Sequence, residues 1–205
     1  MLSMDIISIC FNFDSIDVMY AKKTIFFLNI VEAFKIKSLH YDITKIDISN
    51  IVKEYIAEKK INPIAIRWVL RDEDLFKKYI VIPYMNKKYI EKNVHYEIEK
   101  ELCRYFKYYN IYFKIINSFY ENHSKKLNIK AFAVPKSIVD FCVDVSKDLG
   151  VKTDIIEPKE ESRERTLKNI KRNKSDTIFK NNIFVKESCN IDILEFASNI
   201  GILLR

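Results

Sequence analysis

The chain has 205 residues, 48% hydrophobic and 31% charged, with a formal net charge of +7. That length holds one domain or two small ones with roughly 70% of the extended-chain surface buried, and the composition is that of an ordinary soluble protein. With only two glycines, Gly150 and Gly201, a glycine-rich phosphate loop is excluded too.

The basic balance is compatible with nucleic acid or an anionic membrane surface. Lys, Ile, Asn and Tyr abound, however, and an AT-rich genome produces the same bias, so the charge alone assigns nothing. Cys10, Cys103, Cys142 and Cys189 are too widely spaced for metal-type pairs, and all but Cys189 stand next to an apolar residue. They are expected to be buried free thiols in a reducing compartment. No basic segment precedes an apolar one at the N-terminus, so no signal peptide is expected. The apolar run over residues 25–31 is interrupted by Asn29 and too short for a bilayer.

Taken in order, residues 5–13 and 15–20 read as strands joined by a turn at Asn12–Ser15, and residues 24–31 and 34–36 extend the same sheet. A helix with Asp47 as cap follows. Ile48, Ile51, Val52, Tyr55 and Ile56 form its stripe, Lys59 and Lys60 suit its C-terminal dipole, and Asn62-Pro63 stop it. Residues 64–70 and 79–82 are strands around the charged turn Arg71–Asp74, and Pro83 closes the second. Asn86 caps a long helix whose face is Ile90, Val94, Ile98, Leu102 and Tyr105/Phe106. Residues 108–116 and 127–134 pair as strands. Ser137 caps a helix buried through Ile138, Phe141, Cys142, Val145 and Leu149, Gly150 supplies its left-handed terminus, and residues 151–156 return as a strand.

Residues 157–175 are highly charged and read as a solvated helix or linker rather than a nucleic-acid arm. A short strand over 178–185 and a final helix over 191–204 complete the chain. Gly201 inside that helix predicts a close helix contact.

No HExxH, Cys-x-x-Cys, G-x-S-x-G or P-loop spacing occurs, and His40, His95 and His123 are scattered. Glu97, at the edge of an apolar stripe, reads as the internal partner of Lys78 or as a ligand for a partner's backbone. The aromatic strand over 108–113 reads as core more readily than as a base-stacking platform, because the basic-Gly-aromatic signature of RNA-binding sheets is missing.

Lys78, Pro83, Met85, Ile90, Val94 and Glu97 fall where the PilM family of type IV pilus assembly proteins has a basic residue, Pro-x-Met, two apolar helix positions and a glutamate. The family's apolar-Pro pair at the end of this helix is Leu102-Cys103 here. Residues 8–20 resemble the family's Gly-x-Asp-x-Gly turn, with Cys10 at the aspartate and Ser8 and Asn12 at the glycines. Residues 133–156 resemble its strand, Pro-Lys, helix, Gly, strand passage, and residues 196–205 its C-terminal apolar helix.

The resemblance implies an α/β (α+β) fold. An actin-like first lobe, a mixed sheet with packed helices, would span residues 1–68 and 156–205, with a small α+β subdomain inserted at 69–155. The family's second lobe would be missing. With Cys10 in place of the aspartate, no ATP or other cofactor is expected, no metal, and no catalysis. It implies a peripheral location at the cytoplasmic face of the inner membrane. The partner implied is the N-terminal tail of a PilN-like bitopic membrane protein, held in a groove between the two subdomains, with Lys78, Pro83, Met85 and Glu97 as contacts. Other platform proteins and self-association are further implied partners. The cytoplasmic subunits of type II secretion platforms and FtsA are close variants of this reading. The alternative is a small basic nucleic-acid-binding protein using residues 163–174 and the aromatic strand, whereas the adaptor reading expects no nucleic acid. An enzyme with an unrecognised site is the third.

Overall fold

The computed structural model describes residues 3–37, 45–172, 183–186 and 192–205. The chain divides into two compact units, Met1–Asp72 with Phe141–Arg205, and Glu73–Asp140. The second unit is narrower than residues 69–155. Residues 141–155 belong to the first because the strand they lead into completes its sheet.

The first unit is built on β1 (Met4–Phe11), β2 (Ser15–Lys23), β3 (Leu28–Lys37), β4 (Ala65–Leu70), β8 (Lys152–Pro158) and β9 (Ile183–Val185). Their order is β8-β4-β1-β2-β3-β9. β1, β2 and β3 are antiparallel neighbours, and β4, β8 and β9 join in parallel. All six residues of β4 are buried, the unbroken apolar pattern of a strand covered on both faces. Residues 24–37 hold one strand rather than two. Thr24 Oγ1 accepts from the Phe27 backbone N–H at 2.9 Å and makes a local turn of residues that their β-branched and aromatic character had assigned to a strand.

One sheet face is covered by α1 (Lys45–Lys59) and the last two turns of α3 (Lys136–Asp148). Ile48, Val52 and Tyr55 of α1 and Cys142 and Val145 of α3 are buried. Trp68 is fully buried, and its Nε1 donates to Ser146 Oγ at 3.1 Å. The other face carries α4 (Lys159–Arg172) and α5 (Ala197–Leu203). There Ile6, Met19, Ile30 and Val69 pack with Phe196, Ile200 and Leu203.

The charged stretch after residue 157 is therefore not simply solvated. Ser162 and Thr166 are buried, Thr166 Oγ1 donates to the Ala197 carbonyl at 2.6 Å, and Arg165 donates to the Gly201 carbonyl at 2.6 Å. Small hydroxyl side chains let two backbones approach, as Gly201 does. A Cβ there would lie 1.8 Å from the Ser162 carbonyl oxygen. The close contact predicted by Gly201 is this one. The final helix is shorter than expected, because residues 193–196 are turns, with Asp192 Oδ1 accepting from Leu194 N–H at 2.8 Å. Residue 191 and residues 178–182 of the expected strand lie outside the described residues.

The second unit contains β5 (Phe76–Pro83), α2 (Lys87–Leu102), β6 (Tyr109–Glu121) and β7 (Ser124–Pro135), with strand order β5-β7-β6. Asn86 caps α2 as expected, its side chain accepting from Tyr89 N–H at 3.2 Å. Ile90, Val94 and Ile98 lie on Ile80, Ile82, Leu127 and Ile129, each worth about 1.5–3 kcal/mol on burial before entropy is counted. The helix stops at Leu102. Cys103 adopts φ 48, and residues Cys103–Tyr108 form a tighter 3-10 segment, so Tyr105 and Phe106 do not continue it. β6 runs five residues beyond its expected end and turns at Asn122 and His123, whose φ values of 49 and 62 suit a two-residue hairpin.

Candidate functional site

Lys78 and Glu97 are bonded across β5 and α2, whereas Pro83 and Met85 lie at the connection between the two elements, with no contact to that pair among those the structure shows. Lys78 alternates with Ile80 and Ile82 on the helix-facing side. Its Nζ donates to Glu97 Oε2 at 3.1 Å, the Glu97 carbonyl at 3.2 Å and Glu101 Oε1 at 3.0 Å. The Glu101 bond leads in raising the Lys78 amine, and the Lys78 bond leads in lowering the Glu97 carboxyl. The internal pairing of Glu97 with Lys78 is therefore present. Met85 packs against the apolar cluster, and its Sδ accepts from Asn93 Nδ2 at 3.4 Å. Pro83 is exposed, opposite Lys126 in the ladder. Of the four, it alone is not engaged in holding strand and helix together.

The aromatic strand β6 is where the unit is open. It pairs only with β7, and its outer edge has no strand neighbour among the described residues. Tyr112, Ile115, Ile116, Phe119 and Tyr120 are 53%, 45%, 42%, 36% and 75% exposed. Within residues 108–113 the core reading holds for Tyr109, Ile111 and Phe113, which pack on the apolar cluster, and is corrected at Tyr108 and Tyr112, which are exposed. One helix covers one face of three strands, so Tyr109, Ile111 and Phe113 pack inward while Tyr112, Ile116, Phe119 and Tyr120 stay exposed. A long edge with unpaired N–H and C=O groups and apolar neighbours is a template for strand addition. The register irregularity between Ile115 and Asn117 bends it. Beside its first half is a cleft of about 420 Å³ lined by His95, Phe106, Tyr109, Ile111 and Lys136 among others, with His95 edge-on to Phe106 at 6.0 Å.

The opposite face of this sheet alternates rings and amines. The register places Tyr79, Lys130 and Lys114 in one row and Lys77, Phe132 and Tyr112 in the next. Lys130 is buried, its Nζ 5.1 Å from the Phe132 ring centre and 5.9 Å from that of Tyr79.

At the turn between β1 and β2, Cys10 is buried, and burial above all pushes its thiol up to about 12. Lys159 Nζ donates to Asn12 Oδ1. Asn199 Nδ2 donates to Ser8 Oγ at 3.1 Å and to the carbonyls of Ser8 and Asp17 at 3.3 Å. Asp17 is buried, 3.8 Å from Lys35 Nζ, and burial leads in raising its carboxyl.

Two further polar centres escaped the sequence. Arg67, buried, donates to Asp154 Oδ2 at 2.9 Å and to the Ile202 and Leu203 carbonyls at 2.9 and 3.3 Å. Glu157, also buried, accepts from Ser162, Arg165 and Arg205. A lone Arg within IRWVL and a Glu opening a charged run carry no local signal of burial. Among the described residues no group of three or more His, Cys, Asp or Glu could hold a metal ion. No helix among them is long and apolar enough to cross a membrane.

No protein-family model matches the sequence, and no curated protein matches it. Solved structures do. A chain of a structure described as the PilM-PilN type IV pilus biogenesis complex superposes with a TM-score of 0.66 at 10% identity, covering 80% of this chain and 51% of that one. The present chain thus spans about half the length of that neighbour. The cytoplasmic domain of EpsL, an inner membrane component of the type II secretion system of Vibrio cholerae, superposes with a TM-score of 0.54 at 9% identity, covering 98% of this chain and 95% of that one. The mixed α/β fold expected from the sequence is the fold these structures share with it.

Proposed function

We propose that this chain is a non-catalytic adaptor of a type IV pilus assembly platform. It would sit at the cytoplasmic face of the inner membrane and receive the N-terminal cytoplasmic tail of a PilN-like membrane protein. The observation that carries this reading is the superposition on the PilM-PilN structure over four-fifths of the chain. The EpsL match, to the cytoplasmic domain of an inner membrane component of a type II secretion system, favours the same class.

The open edge of β6 supplies a physical means. An extended tail adds as a fourth strand, its main chain bonding the free edge and its apolar side chains meeting Ile115, Ile116 and the cleft at Tyr109 and Ile111. Lys78 and Glu97 hold the platform rigid rather than touching the tail. ATP has no part in this reading. A neutral, buried Cys10 thiol replaces the carboxylate the family uses, and Lys159 already engages Asn12. Mg²⁺ binds through carboxylate and phosphate oxygens instead.

The test is an anisotropy titration with the labelled N-terminal cytoplasmic tail peptide of a PilN-like protein, against a scrambled peptide and a labelled DNA. Saturable binding that persists at moderate salt and is lost in the double variant Ile115→Lys/Ile116→Lys is expected. Both positions are exposed, so the variant keeps its stability within about 0.5 kcal/mol. Mg-ATP is expected to leave the melting temperature unchanged.

The exposed rings of Tyr79 and Tyr112, in rows with Lys114 and Lys77, favour a second reading, a sheet that stacks nucleobases. It predicts DNA or RNA binding that falls steeply with salt. Such binding without peptide binding would replace the adaptor assignment.

A further inference from the structure

The first unit has a cleft of about 570 Å³ between the C-terminal end of α1 and the sheet. Tyr20 contributes to its floor. This side chain is 3% exposed, and its hydroxyl has no hydrogen-bond partner. Asp5 is its polar neighbour, yet not placed as an acceptor of ordinary geometry. Burial above all, then Asp5, raises the phenol, so the hydroxyl keeps its proton. A buried donor without an acceptor costs about 1–3 kcal/mol, a cost that an acceptor entering the cleft removes.

Four lysines line the walls, Lys22, Lys59, Lys60 and Lys186, against the carboxylates of Asp5 and Glu32. Glu32 is engaged, accepting from Tyr55 Oη at 3.2 Å and pairing with Lys59 at 3.1 Å. Lys22, Lys60 and Lys186 form no ion pair among the described residues. Lysines at a helix C-terminus have an ordinary explanation in the helix dipole, and Lys60 is one. Lys22 comes from β2 and Lys186 follows β9, so the dipole of α1 does not account for them. Their convergence with Tyr20 from three separate elements marks a built site.

We propose that this cleft binds an organic phosphate ester bearing hydroxyl groups. The phosphate oxygens accept from the Tyr20 hydroxyl and neutralise Lys22, Lys60 and Lys186. The ligand hydroxyls donate to Asp5. The volume lies within the range of small-molecule sites and is large for inorganic phosphate alone. A glycerophosphate has this chemistry, free in solution or as the headgroup of an anionic lipid. The inference is independent of the adaptor reading, since no residue of the cleft belongs to the second compact unit.

The probes are glycerol 3-phosphate, followed by isothermal titration and thermal shift, and vesicles of phosphatidylglycerol in phosphatidylcholine, followed by co-sedimentation. The variants are Tyr20→Phe, which removes one unpartnered oxygen and keeps the fold, and Lys22→Gln/Lys186→Gln. Saturable binding weakened about tenfold or more by either variant is expected, in line with a hydrogen bond to a charged group. A response to glycerol 3-phosphate but not to vesicles assigns a soluble ligand. A variant-sensitive response to vesicles alone assigns a lipid headgroup. Binding to neither probe overturns the proposal, and so does vesicle binding that both variants leave unchanged, which is diffuse surface charge. Each variant's melting temperature, matched to the parent, separates lost binding from lost folding.

Discussion

The two compact units use their polar residues in opposite ways. The first unit turns them inward. Arg67, Glu157, Ser162, Thr166 and Asn199 are all buried and bonded, and they fasten α4 and α5 to a sheet that has helices on both faces. The second unit turns apolar residues outward. Its sheet has α2 on one side, a bare edge along β6, and a second face of rings and amines. The lesson is that internal polar bonding specifies one arrangement of helices, while unspent edge and apolar area is left for another molecule.

The largest expected effect separates the units by stability. Arg67→Ala takes a buried guanidinium from Asp154 and from the Ile202 and Leu203 carbonyls, and should cost about 3 kcal/mol in urea unfolding. Lys78→Ala, at a partly exposed ion pair of the second unit, should cost below about 1 kcal/mol. Equal losses would end the contrast. Next is Gly201→Ala, whose methyl group meets the Ser162 backbone. A loss of about 1–3 kcal/mol is expected, visible as a lower urea midpoint. An unchanged midpoint would mean that α4 and α5 slide freely.

A smaller, pH-dependent effect follows from Asp17, whose carboxyl burial raises from 3.8 in the folded state. The folded state therefore holds this proton more tightly than the unfolded chain, and stability from this group declines as pH rises from 3.8 through the folded value. Asp17→Asn should melt higher than the parent at pH 7, with the advantage vanishing below pH 3.8. An advantage independent of pH would assign it to packing. The smallest effect is chemical. Peptide mapping after brief alkylation should find Cys103, exposed in the second unit, labelled before Cys10 and Cys142, buried in the first.

The sequence made the frame legible because strong local signals carried it. Asn86 capped its helix, Gly150 took the left-handed position at φ 69, and the stripe Ile90, Val94, Ile98 found its sheet. What stayed hidden was non-local. Ser162 and Thr166 look like surface residues until Gly201, far along the chain, brings a second backbone against them. β6 carries apolar residues on both faces, the pattern of a buried strand, and nothing in its own residues says that one face and one edge lack a cover. The end of α2 at Cys103 lacked a signal too, since a cysteine with φ 48 replaces the glycine or proline that usually marks a stop. Of the four candidate contacts, the sequence correctly grouped Lys78 with Glu97, which are bonded.

The first unit is assembled from two distant stretches. β4 lies between β1 and β8, and Arg67 bonds a carbonyl 135 residues ahead of it. On the ribosome, β1 to β4 emerge early and then wait. β8 is made only after the whole second unit, and α5 later still. During that interval the face formed by Ile6, Met19, Ile30 and Val69 lacks Ile200 and Leu203, the residues that shelter it. The second unit, contiguous in sequence, can close while it is still tethered to the synthesising machine. Late closure of such long-range contacts is slow, and the uncovered half-sheet is the species a holding chaperone would meet.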